Sequence, residues 1–406
     1  MRGRGAVTPA AARVWSGPAR ATALEALSLA AGFVTQLLLM RRLGPGGYGE
    51  CVLAVAVGLG ITTLTDFGFN IAGTRQAVGW ADDAAARHRL FWSVTATKAC
   101  VGLVAVVLLA LLPGTAALLP AAAASALGAT LFPTWYLTAR GRLVVNAAAL
   151  LGGRLAMLLA VAALVRRPAD AGLAAVLNCL PALAALMLVM VLREPELRAV
   201  ARPLPVRAAD IARAARMGLP ALWISAVPAV GSAMVQALIG HLGSTATLGQ
   251  YAAADKVRAG IQGLFTALGQ ALFPGSVARH ADGAGGARLA PTLLGLAGLA
   301  ALPMVLAPQQ IIAVVAGPGY EAAAGAMRVM GLAVVSSAAV TAFGLLGLLA
   351  RGLDGAYVRA LVAGLAAQAA ALALLVPAHG ATGAAWTLVV ADAVALTLIG
   401  AVARRR

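Results

Sequence analysis

Twelve apolar stretches, each long enough to cross a bilayer, run the length of this 406-residue chain and fix its solvent before any site is considered. A spanning helix needs about 20 mainly apolar residues. Such stretches lie at about 20–42, 48–73, 88–112, 115–138, 143–165, 171–192, 214–241, 247–276, 288–316, 321–350, 355–377 and 381–402. Inside hydrocarbon every backbone N–H and C=O must find a partner within the protein, which leaves helices or closed barrels. Segments of this length predict an all-α, polytopic membrane protein of about 12 transmembrane helices.

The loops give its orientation. With the N-terminus in the cytoplasm, 21 of the 31 Lys and Arg residues fall inside, 6 lie within segments, and only Arg41, Arg42, Arg166 and Arg167 fall outside. The positive-inside rule selects that orientation, so both termini are expected in the cytoplasm and the protein in the cytoplasmic (inner) membrane. A composition of 61% hydrophobic and 11% charged residues stands far from soluble averages of about 45–50% and about 25%. The net charge of +17 is spread over short loops flanking membrane segments, with little aromatic interleaving. That pattern suits topology and anionic lipid headgroups rather than nucleic acid.

Residues 1–20 are basic and free of acids, like the front of a signal or transit peptide. The apolar run that follows has full spanning length and no small-residue cleavage site, so it reads as a retained first helix. Cys51, Cys100 and Cys179 lie in apolar segments without CxxC spacing and read as packing residues. Trp80, Trp92, Trp135 and Trp223 fall near segment ends, where interfacial anchoring is expected. Pro228, Pro303 and Pro308 each remove a backbone donor inside a segment and predict kinks.

The longest polar interval divides the chain into an N-terminal lobe (1–192), a cytoplasmic linker (193–213) and a C-terminal lobe (214–406). Six segments per half give both halves the same orientation, the arrangement of a parallel repeat. A faint echo accompanies it: Leu43, Gly44, Tyr48, Gly49 and Ala54 recur as Leu242, Gly243, Leu248, Gly249 and Ala254, with one residue inserted.

Charges at membrane depth cost several kcal/mol each and are usually turned towards protein or water. Here they are Lys98, Arg154, Lys256, Arg258 and Arg328, with Arg359 near a segment end, against the acids Glu25, Asp66, Asp255 and Asp392. Such an excess of cations gives any cavity between the halves a basic lining suited to a phosphate or pyrophosphate, onto which Arg can fork. Glu25, Arg258 and Arg359, nearer segment ends, also fit a snorkelling role. Asp66, Asp255, Asp392 and Glu25 read either as carriers of a coupling proton or sodium ion or as charge balance.

No catalytic constellation or P-loop occurs, and His88, His241, His280 and His379 lack metal-ligand spacing. The chain is therefore expected to be no enzyme, and to need no cofactor and no metal.

Several loop motifs carry a resemblance. Arg42-Leu43-Gly44-Pro45-Gly46-Gly47-Tyr48-Gly49 and Asp66-Phe67-Gly68-Phe69-Asn70 with Thr74-Arg75 come first in the chain. Pro133-Thr134-Trp135, Gly249-Gln250-Tyr251-Ala252-Ala253-Ala254-Asp255-Lys256, Phe273-Pro274, Gly317-Pro318-Gly319-Tyr320 and Gly380-Ala381-Thr382-Gly383-Ala384-Ala385 follow. In this order and at these helix boundaries the chain resembles the polysaccharide-export, or Wzx-type, flippases of the multidrug/oligosaccharidyl-lipid/polysaccharide superfamily. Two departures stand out: Cys51 replaces a usual aromatic, and Ala139-Arg140-Gly141-Arg142 replaces a usual Gln-Gly-x-Glu-like turn.

The resemblance implies a MATE-like pair of six-helix lobes around a basic cavity. Its cargo is an undecaprenyl-pyrophosphate-linked oligosaccharide moved to the outer leaflet by alternating access for surface polysaccharide such as O-antigen and lipopolysaccharide. Membrane lipids, H+ or Na+ as coupling ion and a glycan polymerase are the implied partners. A drug or lipid II exporter of the same superfamily, a membrane-embedded glycan polymerase or ligase, and a non-transporting scaffold are the alternatives.

Overall fold

The computed structural model describes residues 9–79, 83–281 and 290–404. Among these the elements are all helical: α1 (Pro9–Asp66), α2 (Phe69–Gly79), α3 (Ala84–Ala110), α4 (Leu119–Leu131), α5 (Thr134–Ala139), α6 (Leu143–Leu164), α7 (Ala171–Leu177) and α8 (Leu180–Val191) come first. They are followed by α9 (Pro195–Val200), α10 (Ala208–Leu242), α11 (Thr245–Ala281), α12 (Ala290–Leu306), α13 (Pro308–Val315), α14 (Ala323–Ala339) and α15 (Asp354–Arg404). A π-helical stretch, Val340–Leu348, continues α14.

Six helical runs are long and apolar enough to cross a membrane, or eight when each of two bent pairs is one span. Two of the runs, Ala19–Gly79 at 61 residues and Asp354–Arg404 at 51, have length for two crossings each. They break at Gly44 (φ 65°) and Gly380 (φ 53°), left-handed positions that only glycine occupies without strain. With α10 and α11, at 35 and 37 residues, these runs account for the twelve apolar stretches of the sequence. Leu111, Val191, Leu306 and Leu374 stand more than 70% exposed, an arrangement untenable in water and natural where the solvent is lipid.

The proline expectations resolve individually. Pro308 opens α13 after an 82° bend from α12, at a first-turn position where a missing N–H costs nothing. Pro303 lies inside α12, and the side chain of Pro228 lies outside the described residues, as do residues 1–8 of the leader-like segment.

Two compact units are present, the first formed by residues up to Arg42 and Ala54–Ala233, the second by Leu43–Leu53 and Met234–Arg406. In the first, small residues set the packing. A Cβ at Gly153 of α6 would overlap the carbonyl of Pro181 on α8, so the two backbones lie in direct contact, as helices in lipid require for cohesion. Trp135 is buried rather than interfacial: it stacks on Phe91 at 6.2 Å and meets Tyr136 edge-on at 5.5 Å. The indole of Trp92 donates to the Val200 carbonyl at 3.0 Å. Trp80 and the Trp223 side chain lie outside the described residues.

The basic loop that departs from the family pattern has partners. Arg140 pairs with Glu196 at 2.7 Å, and Arg142 forks onto Glu194. His88 Nε2 donates to the Arg202 carbonyl at 2.7 Å. The first part of the polar interval is thus strapped to the first unit through α9, whose Leu197 and Val200 enter its core. The Arg140 guanidinium holds the Glu196 carboxyl below its ordinary range. A depressed carboxylate pKa means that the strap holds at neutral pH and weakens only as acid takes the pH down through the lowered value.

Two of the four arginines on the sparsely charged side have local structural work. Arg42 Nη1 donates to the carbonyls of Ala162 (2.6 Å), Val165 (2.7 Å) and Val161 (3.1 Å), the open C-terminal end of α6. Arg166 Nε donates to Ala163 O at 3.2 Å. A cation at a helix C-terminus satisfies orphan carbonyls and meets the negative end of the dipole. Arg42→Gln is expected to cost about 1.5–3 kcal/mol, the range for hydrogen bonds to a charged group. A lower thermal unfolding midpoint in detergent would register it; an unchanged midpoint would show the fork to be idle.

Candidate functional site

Four of the nine candidate charges lie in the first unit. Asp66 closes α1 just where the helix breaks: Phe67 takes φ 50° and Gly68 φ 76° before α2 begins. A non-glycine residue in the left-handed region is strained by about 1–2 kcal/mol, and packing holds it there. A Cβ on Gly68 would lie 2.6 Å from the Ala221 carbonyl carbon and would overlap the Leu222 amide, while one on Gly218 would lie 2.5 Å from the Phe67 carbonyl oxygen. The break is therefore clamped onto α10, backbone against backbone.

At that break Lys98 Nζ sits 2.8 Å from Asp66 Oδ1, with the two side chains 3% and 13% exposed. Lys98 also reaches the Ala129 carbonyl at 3.4 Å, and Asp66 Oδ2 accepts from the Asn70 amide at 3.3 Å. Thr65 Oγ1, one residue away, is buried without a hydrogen-bond partner among the described residues. Lys98 is thus a paired cation. Arg154 is half-buried and donates from Nη1 to the Ser28 carbonyl at 3.0 Å, lying against Gly32, where an added Cβ would come within 3.2 Å of the same nitrogen. Glu25 is exposed on α1.

The second unit holds the other five. Arg258 Nε pairs with Asp255 Oδ1 at 2.7 Å, one turn apart on α11. Lys256, half-buried, has no hydrogen bond or ion pair among the described residues, and Arg328 is exposed on α14. Asp392 receives the Ser336 and Ser337 hydroxyls on one oxygen, at 2.6 and 2.7 Å. Those serines stand at the end of α14, just before it widens into the π-helical stretch.

The pairing changes the electrostatic reading. Two of the five cations are neutralised by their own carboxylates, which leaves Arg154, Lys256 and Arg328 as those without one among the described residues. Ser336 and Ser337 escaped sequence reasoning, although a Ser-Ser pair inside an apolar helix is an odd choice whose only reward is a hydrogen-bond partner. Nothing in the spacing signalled the Ser28 carbonyl as the partner of Arg154. The cysteines are unpaired, with Cys51 buried and Cys100 exposed.

The helices, their breaks at Gly44 and Gly380 and the charges set within apolar segments define a multi-pass, all-α membrane protein. Residues 21–278 match the model of the family described as polysaccharide biosynthesis protein. The chain belongs to that family. No curated protein matches it in sequence.

Among solved structures, the lipid II flippase MurJ in an inward closed conformation superposes with a TM-score of 0.69 at 10% identity, covering 95% of this chain and 87% of that one. An inward-facing multidrug resistance MATE family transporter of the MOP superfamily gives 0.64 at 13% identity and 94% of both chains. A Vibrio cholerae MATE transporter gives 0.53 at 15% identity, covering 96% of this chain and 98% of that one. At these identities the likeness is one of fold. None of these neighbours is an enzyme.

Proposed function

We propose that the protein is a flippase that carries an undecaprenyl-pyrophosphate-linked oligosaccharide from the cytoplasmic to the outer leaflet of the cytoplasmic membrane for surface polysaccharide biosynthesis. Both termini are in the cytoplasm. The observation that carries this reading is the presence, in a member of a polysaccharide biosynthesis family with a flippase fold, of intramembrane cations that lack a carboxylate partner: Arg154, Lys256 and Arg328. A pyrophosphate is the natural counter-charge for such groups in a low-dielectric setting, and arginine forks onto its oxygens. Lys98 and Arg258 serve as reserve cations held by Asp66 and Asp255. Asp392, with its two serine hydroxyls, is the candidate for the coupling proton or sodium ion, and Glu25 for charge balance.

A strain lacking the protein is expected to accumulate lipid-linked oligosaccharide on the cytoplasmic leaflet, shown by its resistance to a glycan-modifying enzyme added outside. Complementation with Arg154→Gln/Lys256→Gln should leave protein levels intact and reduce surface glycan roughly tenfold or more, the scale of losing two charge-assisted contacts. Full export by that variant would remove the pyrophosphate reading. An exporter of drugs would instead be recognised by changed drug tolerance with surface glycan unaltered.

A further inference from the structure

Two helices of the first unit, α5 and α8, end in the same way, and only one of them uses the residue that such an ending favours. At the end of α5 the Gly141 amide donates to the Thr138 carbonyl at 3.0 Å and the Arg142 amide to the Leu137 carbonyl at 2.9 Å. At the end of α8 the Arg193 amide donates to the Met190 carbonyl at 3.0 Å and the Glu194 amide to the Val189 carbonyl at 3.2 Å. This paired closure puts its first residue in the left-handed region, where glycine is the usual occupant. Gly141 follows that preference at φ 68°, whereas α8 holds Arg193 there at φ 56°. A cation near a helix C-terminus is favourable, but α5 has one in Arg142, a residue further on, without straining the backbone. Strain kept where glycine would relieve it points to a use for the side chain.

The surroundings indicate that use. Arg142 forks onto Glu194 and so ties the two endings together, with the carboxylate 6% exposed and the guanidinium 43%. Glu194 is sealed under its partner, while the outer edge of the Arg142 fork stays open. Arg193 is exposed and has no hydrogen bond or ion pair among the described residues. Arg140 and Glu196 balance each other, so two guanidiniums beside one carboxylate leave one positive charge uncompensated. Exposed apolar side chains adjoin them: Met187 and Val191, one turn apart on α8, Leu192 next to Arg193, and Leu143 next to Arg142.

We propose that this corner of the first unit is a binding site for an anionic phospholipid, which sets its phosphodiester between Arg193 and the open edge of Arg142 and lays an acyl chain along Met187 and Val191. The ligand is a monoanionic glycerophospholipid, of which phosphatidylglycerol is the simplest case. Guanidinium forks match phosphate oxygens, and basic groups at the membrane edge of a helix bundle take such headgroups. A zwitterionic headgroup brings its own ammonium and gains nothing from the spare charge. Free phosphate has the charge but no acyl chain for the apolar flank. The corner is separate from the cations assigned to the cargo, so the reading stands whatever the chain carries.

For the test, the full chain in a neutral detergent is titrated with phosphatidylglycerol, with phosphatidylcholine of the same acyl chains and with inorganic phosphate, and the unfolding midpoint is followed. Phosphatidylglycerol is expected to raise the midpoint saturably, by several degrees, and the other two to leave it unchanged. Arg193→Gly should start no lower than the parent, because relief of the left-handed strain offsets the lost dipole contact. It should need roughly tenfold or more phosphatidylglycerol for half of the shift, the loss of one charge-assisted contact. Arg89→Gln, which removes an exposed arginine elsewhere in the unit, should keep the parent's half-point. If the glycine variant does not accumulate, Arg193→Asn, uncharged and also tolerant of the left-handed region, decides.

An equal shift from phosphatidylcholine or from inorganic phosphate overturns the site, as does the parent's half-point in the Arg193 variants. A lower starting midpoint with the lipid shift intact would make Arg193 a helix cap and nothing more. The same loss in Arg89→Gln would make the attraction a diffuse one and overturn the site as well. Polyglutamate that shifts the parent as phosphatidylglycerol does, and loses its effect in Arg193→Gly, would assign the corner to an acidic protein segment instead.

Discussion

Lys98→Ala is expected to be the most damaging charge substitution in the chain, at about 3–5 kcal/mol, because it strands the Asp66 carboxylate in a buried site. The partners are 2.8 Å apart and nearly solvent-free, and the remaining groups near Asp66, the Asn70 amide at 3.3 Å and the unpartnered Thr65 hydroxyl, cannot replace a full positive charge. Folded yield and unfolding temperature in detergent measure the loss. The double variant Lys98→Met/Asp66→Asn removes both charges at nearly constant volume and is expected to recover most of the stability. Its transport activity then separates two roles. A stable but inactive double variant shows that the cation serves the cargo, whereas a stable and active one shows that the pair only holds α1 and α3 together. Failure of the double variant to recover stability would contradict the ion-pair account itself.

Gly68→Ala should be nearly as severe, at about 2–5 kcal/mol, from two separate causes. Its φ of 76° costs an L-residue about 1–2 kcal/mol, and the added methyl would press on the α10 backbone at Ala221 and Leu222, an overpacking strain of about 1–3 kcal/mol. Gly60→Ala, on the same stretch of α1 with open space around it, is the matched control and is expected to stabilise by about 0.5–1 kcal/mol. Equal effects of the two substitutions on the unfolding midpoint would show that the break after Asp66 is not clamped.

Much of this was legible in the sequence. The apolar stretches gave the helices and their number, because a bilayer leaves a segment of that length one way to satisfy its backbone. Gly44 and Gly380 sat where two crossings join, and the structure places the breaks there. The deep charges were visible as rarities, since each carries a cost that random drift does not sustain. Their partners were not. Lys98 and Asp66 are 32 residues apart, Arg154 and Ser28 are 126, and Asp392 and Ser336 are 56, and a one-dimensional pattern carries no distance between helices.

Trp135 shows the same limit from the apolar side. Its place near a segment end suggested an interfacial anchor, but the neighbouring helix brings Phe91 over it. Arg42 is the converse: it reads as an exception to the charge rule until the α6 carbonyls appear beside it.

The sequence by itself determined the solvent, the helical class and the rarity of the buried charges, all of which follow from local length, composition and transfer energy. Only the tertiary structure decided which cations are already spent on a carboxylate and which are not, and that the break after Asp66 meets α10 backbone against backbone at Gly68 and Gly218. Both are matters of which backbones approach closely enough to touch, and that is settled by packing between segments far apart in the chain.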